Sequence, residues 1–249
     1  MKNTSISPIT KPSTGAFREP LSEVKVAVKE IHTNSTKESS FDVLYLKKDY
    51  KGAAQYLLKN NKQIDSGIFH YNLGTVYSKM GDQATARFHL EKAIQDGYIN
   101  SSSLNNLAYV KSQLQVDDLT NSTSLPDELV SISTSIPSAG YLSISLALIV
   151  LFIVLIRFKK IEKKLVIALV LLVSLTPILF SNFYVKNINF AIALQDIPLY
   201  EGPSKIFNQK GKVRAGSKVI IGHLKDGWFQ VEFPVSLSGW VNKDQLGIY

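Results

Sequence analysis

Two long apolar runs dominate the chain. Residues 137–156 (PSAGYLSISLALIVLFIVLI) and 165–185 (LVIALVLLVSLTPILFSNFYV) are 20 and 21 residues without a charge. About 20 apolar residues, rising ~1.5 Å each, cross a hydrocarbon core of about 30 Å. Buried core helices rarely run this long without a polar face, so the pattern predicts two transmembrane helices. Pro177 lies inside the second run, where a proline is tolerated and kinks the helix. Tyr141, Phe158, Phe183 and Tyr184 lie near the ends, where interfacial aromatics are expected.

The polar region before the first run has two textures. Residues 1–40 are rich in Ser, Thr and Pro and predict a disordered or weakly ordered tail, with an ambiguous patch at Val24, Val26 and Val28 that fits helix or strand. Residues 41–116 show helical spacing with a period. Tyr71-Asn72-Leu73-Gly74 opens one helix, Gly81-Asp82 breaks it, and Ala86, Leu90 and Ala93 carry a second. Small residues at Gly74, Ala86 and Ala93 let the pair approach closely, with Leu73, Tyr77 and Leu90 expected in the seam. Thirty-four residues on, Asn72-Leu73-Gly74 maps onto Asn106-Leu107-Ala108; thirty-three back, Ala86 maps onto Ala53. This resembles the tetratricopeptide repeat, with His70 at the usual Trp position and Tyr98 at the usual Pro. Such arrays bind extended peptides in a concave groove. The likeness implies that Tyr71, Thr75, Lys79, Asn105 and Tyr109 face it, although each is also readable as a solvated helix position.

After the second run, residues 190–249 alternate with period two between turn signals. Gly202-Pro203-Ser204, Ala215-Gly216 and Asp226-Gly227 mark turns, Val219-Ile220-Ile221 a strand, and Trp228 to Phe233 an alternating strand. Five short strands predict a small all-β barrel. The Gly-Pro-Ser turn, Gly216-Ser217-Lys218-Val219, Asp226-Gly227-Trp228-Phe229-Gln230-Val231 and Gly239-Trp240-Val241 resemble a bacterial SH3 domain. Such domains recognise cell-wall peptides or envelope proteins through exposed aromatics, which implies ligand roles for Tyr200, Trp228 and Trp240. A small barrel also needs large core side chains, so a packing role stays open for each tryptophan.

Charge then fixes an orientation. The 249 residues carry a net +8, a balance that suggests a nucleic-acid partner, but residues 1–140 hold 15 cations and 14 anions and 187–249 hold 7 and 5. The excess sits between the apolar runs, at Arg157, Lys159, Lys160, Lys163 and Lys164 with one anion, Glu162. Residues 117–136, a linker with Asp117, Asp118, Asp127 and Glu128, have no cation. The positive-inside rule puts the 157–164 loop in the cytoplasm and both flanking regions outside; binding of the loop to anionic lipid is compatible with that placement. No nucleic-acid role is expected. Residues 1–30 contain no apolar secretory segment, so export implies a targeting segment upstream of Met1 or else an inverted orientation, and the steep loop bias favours the former.

Catalytic signals are missing from the pattern. Cysteine is absent, the four histidines (His32, His70, His89, His223) lack metal-ligand spacing, and no phosphate-binding, nucleophile-elbow or zinc-protease motif occurs. No cofactor, metal or catalytic residue is expected. The order of repeats, membrane hairpin and SH3-like module resembles the BatE-type membrane proteins of the Bacteroides aerotolerance (Bat) operons. That likeness implies an inner-membrane protein with repeats and SH3-like domain in the periplasm, working beside von Willebrand factor A-type Bat proteins. The expected function is a non-enzymatic envelope scaffold in an aerotolerance or stress-related system. The alternative is a cell-wall or envelope-stress sensor whose SH3-like domain binds peptidoglycan peptides.

Overall fold

The computed structural model describes residues 40–114, 116, 122, 124–158 and 164–249. The expected tail, Asp117, Asp118, Lys159, Lys160 and Lys163 lie outside the described residues. The chain divides into two compact units, 1–115 and 116–249. Helices and a small all-β domain make up the described structure.

The first unit is a stack of antiparallel helices: α1 Phe41–Leu46, α2 Tyr50–Lys59, α3 Ser66–Lys79, α4 Gln83–Gln95 and α5 Ser101–Gln113. A short acceptor opens α2 to α5. Asp49, Asp65, Asp82 and Asn100 accept the backbone N–H of Gly52, Ile68, Thr85 and Ser103, which removes one orphan donor from each helix. At Asn100 the Ser103 hydroxyl answers back to the cap N–H. Gly81, at φ +87°, turns the chain between α3 and α4 as the Gly-Asp signal predicts.

The periodicity has a packing meaning. Ala53 and Ala86, 33 residues apart, are both fully buried. Phe41, Tyr45, Ala53, Leu57, Leu73 and Val76 form one core among α1 to α3; Tyr71, Ala86, Leu90, Ala93 and Val110 form the next among α3 to α5. Gly74 allows a close approach of α3 and α4: a Cβ there would lie 2.7 Å from Leu90 Cγ and 3.1 Å from the Ala86 carbonyl oxygen. Leu73 differs from expectation. It turns away from α4 into the α1–α2 core, because neighbouring positions on a helix face about 100° apart.

The second unit begins with α6 Leu125–Ser135, inside the 117–136 segment expected to link. Pro126 in its first turn and the acids Asp127 and Glu128 suit a helix start. Val130 then packs with Ile188, Phe190, Ile220 and Phe233, partners the local sequence does not contain. Asp127 is fully buried; its carboxylate accepts from Ser122 Oγ at 2.5 Å and from Val235 N–H at 2.9 Å.

Helices α7 Ser138–Arg157 and α8 Lys164–Phe183 follow, within two residues of the predicted spans, and pack as an antiparallel hairpin. Both are long and apolar enough to cross a membrane, and only 11% of each apolar stretch is covered by protein. Among the described residues, neither helix is packed as a core helix. Ser145, Ser174 and Ser181 are buried. Pro177 cannot donate to the Val173 carbonyl, which accepts from Thr176 Oγ1 instead at 2.7 Å. The next residue, Ile178, donates its N–H across the hairpin to Ser145 Oγ at 3.3 Å.

The 3₁₀ turn Val185–Asn187 leads into seven antiparallel strands: β1 Asn189–Ala193, β2 Ile197–Tyr200, β3 Gln209–Val213, β4 Lys218–Lys225, β5 Trp228–Phe233, β6 Gly239–Asn242 and β7 Leu246–Ile248. Their order is β3-β2-β6-β5-β4-β1-β7, and every strand contributes to one apolar core. Seven strands replace the five expected. One reason is β3, where Val213 alone is buried, so no alternation marks it. Asp226 and Gly227, both at positive φ, close the β4–β5 hairpin as the Asp-Gly signal predicts.

Candidate functional site

The outer face of the β domain gathers the aromatic candidates. Along β2, Ile197 and Leu199 point inward while Pro198 and Tyr200 are half-exposed; along β6, Gly239 and Val241 point inward while Trp240 and Asn242 are half-exposed. The register sets Tyr200 opposite Trp240 and Trp228 opposite Asn242. Gly239 makes this possible: a Cβ there would lie 2.8 Å from both the Leu199 side chain and the Tyr200 carbonyl oxygen. The Tyr200 ring meets Trp228 edge-on at 5.4 Å between centroids.

These two rings form part of a cavity of about 330 Å³ whose wall also includes Pro198, Lys205, Asn242 and Asp244. The third aromatic is placed elsewhere. Trp240 stands edge-on to His223 at 6.4 Å and does not line the cavity. Neither tryptophan belongs to the buried core of the β domain; both are half-exposed. Sequence reading missed Pro198 and Asn242, although the period-two alternation around Tyr200 and Trp240 carries the signal. Lys205 and Asp244 lie on turns, where only the fold brings them to the groove.

The candidates in the repeat region fare differently. Tyr71 and Thr75 are fully buried, which corrects their expected place in an open groove. The reason is α5, which packs over this face of α3: Asn106 Nδ2 donates to Tyr71 Oη at 3.3 Å, and the Tyr98 ring lies 4.9 Å from the Tyr71 ring. Thr75 Oγ1 donates to the Tyr71 carbonyl. Tyr109 packs against the same cluster, Lys79 is half-exposed, and Asn105 is exposed. These five do not line one groove. At the hairpin, Arg157 ends α7 and Lys164 begins α8.

One cluster was not foreseen. His70 on α3 and His89 on α4 meet with Nδ1 atoms 2.8 Å apart, their rings stacked at 5.1 Å, and Tyr77 stacks on His89 at 5.4 Å. One Nδ1 donates and the other accepts, so the accepting ring is neutral and the pair cannot hold this contact with both rings protonated. Burial pushes His89 down to about 3, and His70 adds to the effect. His70 is lowered as well, first by burial and also by Lys92, while Asp96 opposes. Among the described residues no group of three or more His, Asp or Glu is placed to hold a metal ion.

No protein-family model, curated protein or solved structure matches this chain.

Proposed function

We propose that the chain is a non-enzymatic, membrane-anchored scaffold of a bacterial envelope complex. The observation that carries this reading is the Tyr200–Trp228 groove, which faces outward on a β domain joined by the short Val185–Asn187 turn to an apolar, uncovered hairpin. A rigid aromatic wall beside a proline is suited to an extended protein segment. The hairpin anchors the protein, the 157–164 cations hold the loop in the cytoplasm, and the helical repeats and β domain stand in the periplasm. The order of helical stack, hairpin and small β domain supports the likeness to tetratricopeptide and bacterial SH3 modules in a BatE-type protein. Von Willebrand factor A-type Bat proteins are then the partners to seek, in an aerotolerance or stress-related system.

A second reading, an envelope-stress sensor, is favoured by one feature of the groove. Lys205 and Asp244 line the cavity that Tyr200 and Trp228 wall, a pattern that suits a short zwitterionic peptide such as a peptidoglycan stem.

Two measurements test these readings. A reporter active only after export, fused after Tyr249, is expected to be active; a cytoplasmic C-terminus overturns both. Capture of envelope proteins by the full detergent-solubilised chain is expected to fall about tenfold in the Trp228→Ala variant, the usual cost of truncating an interface aromatic. Capture unchanged by Trp228→Ala removes the groove from the scaffold. Retention on purified peptidoglycan that disappears in the same variant selects the sensor.

A further inference from the structure

Helix α6 has one face covered by the β domain and an apolar face opposite it that is not. On the helical wheel Asp127 and Val130 share an arc of about 60°, and both are bound to the β domain. On the opposite side Leu125, Leu129 and Ile132 share a similar arc and are 73%, 68% and 54% exposed. A stripe of three large aliphatic side chains on one short helix needs a cover.

The surroundings of α6 indicate the cover. Ile136 and Pro137 alone separate its end from the start of α7. The chain bends there. Tyr141 Oη donates to the Ser133 carbonyl at 2.8 Å, whereas a straight helix would set those residues about 12 Å apart along its axis, beyond the reach of one side chain. Gly140 seals the bend: a Cβ there would lie 2.8 Å from Ile136 Cγ2. Helix α6 therefore leaves the end of α7 at an angle.

Its level is set by its middle as well as its end. Val130 lines one cavity of about 510 Å³ together with Phe183 and Tyr184 at the end of α8 and with His223, Glu232 and Phe233 of the sheet. Phe183 and Tyr184 are exposed aromatics at the end of an apolar helix, the residues that occupy a membrane–water interface. Helix α6 thus lies where the hairpin leaves its apolar length, with its Val130 face beside the aromatic end of α8 and its stripe turned the other way.

We propose that α6 lies in the membrane interface, its Leu125–Leu129–Ile132 stripe seated at the boundary of headgroups and acyl chains and its opposite face clamping the β domain. The occupant of the stripe is the lipid bilayer. The consequence is positional: Asp127 and Val130 fasten the β domain against the membrane surface. This inference rests on the hairpin spanning the bilayer.

The absence of cysteine makes the test clean. Single-cysteine variants Leu129→Cys, Leu151→Cys and Lys51→Cys of the full chain, each carrying a nitroxide, are reconstituted in phosphatidylethanolamine–phosphatidylglycerol vesicles. Collision rates with oxygen, which concentrates in lipid, and with a water-soluble nickel chelate are compared. The oxygen-to-nickel ratio at Leu129 is expected to exceed that at Lys51 severalfold and to fall short of that at Leu151. A lipid-like Leu151 with a water-like Leu129 overturns the interfacial helix alone. So does a Leu129 label shielded from both reagents, which would mean a protein cover. A water-like Leu151 overturns the spanning hairpin and the inference with it.

Discussion

Replacing Gly74 by Val is expected to lower the stability of the α3–α4 pair by about 3 kcal/mol, because the added atoms overpack a seam with no room. The first of them would lie 2.7 Å from Leu90 Cγ and 3.1 Å from a backbone oxygen, so α4 or the Leu90 side chain has to move. Gly74→Ala is the more telling variant. At an exposed helix position alanine gains up to about 1 kcal/mol over glycine. At Gly74 the contact reverses that sign, and a net loss of about 1 kcal/mol is expected. Hydrogen exchange of residues 66–95 in the full chain measures both, with about tenfold less protection for each 1.4 kcal/mol. Adding Leu90→Ala to Gly74→Ala should cost less than the two single losses combined, since the truncated side chain vacates the space the new methyl needs. Equal or greater protection in Gly74→Ala would show that the two helices do not approach this closely.

Acidification should loosen the same pair of helices. The folded values of His70 and His89 both lie below the ordinary 6.5, so the unfolded chain binds more protons as the pH falls. Stability is therefore fully present above about pH 6.5 and is lost as the pH drops toward the folded values. For His89, mostly buried and held at about 3, the slope approaches about 1.4 kcal/mol per pH unit, or roughly 2–3 kcal/mol between pH 6.5 and 4.5. His70 is half-exposed and adds less. The local charges on these helices do not cancel the effect. Asp96, bound to Ser66 and Lys92, favours a charged His70, whereas Lys92 opposes it, and burial outweighs both. Exchange of residues 66–95, corrected for the intrinsic pH dependence, should rise steeply below pH 6.5 in the natural chain and hardly at all in His89→Phe. A His89→Phe profile as steep as the natural one would remove the pair as the cause.

Much of the architecture follows from local chemistry. The hairpin is legible because a helix left apolar on nearly every side writes its length directly as an uncharged run. The Asp and Asn caps, Gly81 and the Asp226-Gly227 turn are legible for a related reason: each satisfies or directs the backbone within a few residues of itself. Strand β3 is not legible, since a strand whose side chains mostly face water leaves no alternation.

The candidate sites divide along the same line. Trp228 and Trp240 carry equal sequence signals, and the register of β2, β5 and β6 alone decides that Trp228 joins Tyr200 while Trp240 turns to His223. Tyr71 and Thr75 occupy helix positions that read as a free face until α5 covers them. His70 and His89 are 19 residues apart on different helices, with no motif to join them. Helix α6 reads as a polar linker until Val130 meets residues 58 to 103 positions further on. By itself, then, the sequence determined the helical stack, the apolar hairpin and the presence of a small β domain, because their signals are periodic and their hydrogen bonds mostly local. The tertiary structure alone decided which side chains line a cavity, meet a neighbouring helix or face open solvent, because burial depends on what distant segments bring to the other side of the contact.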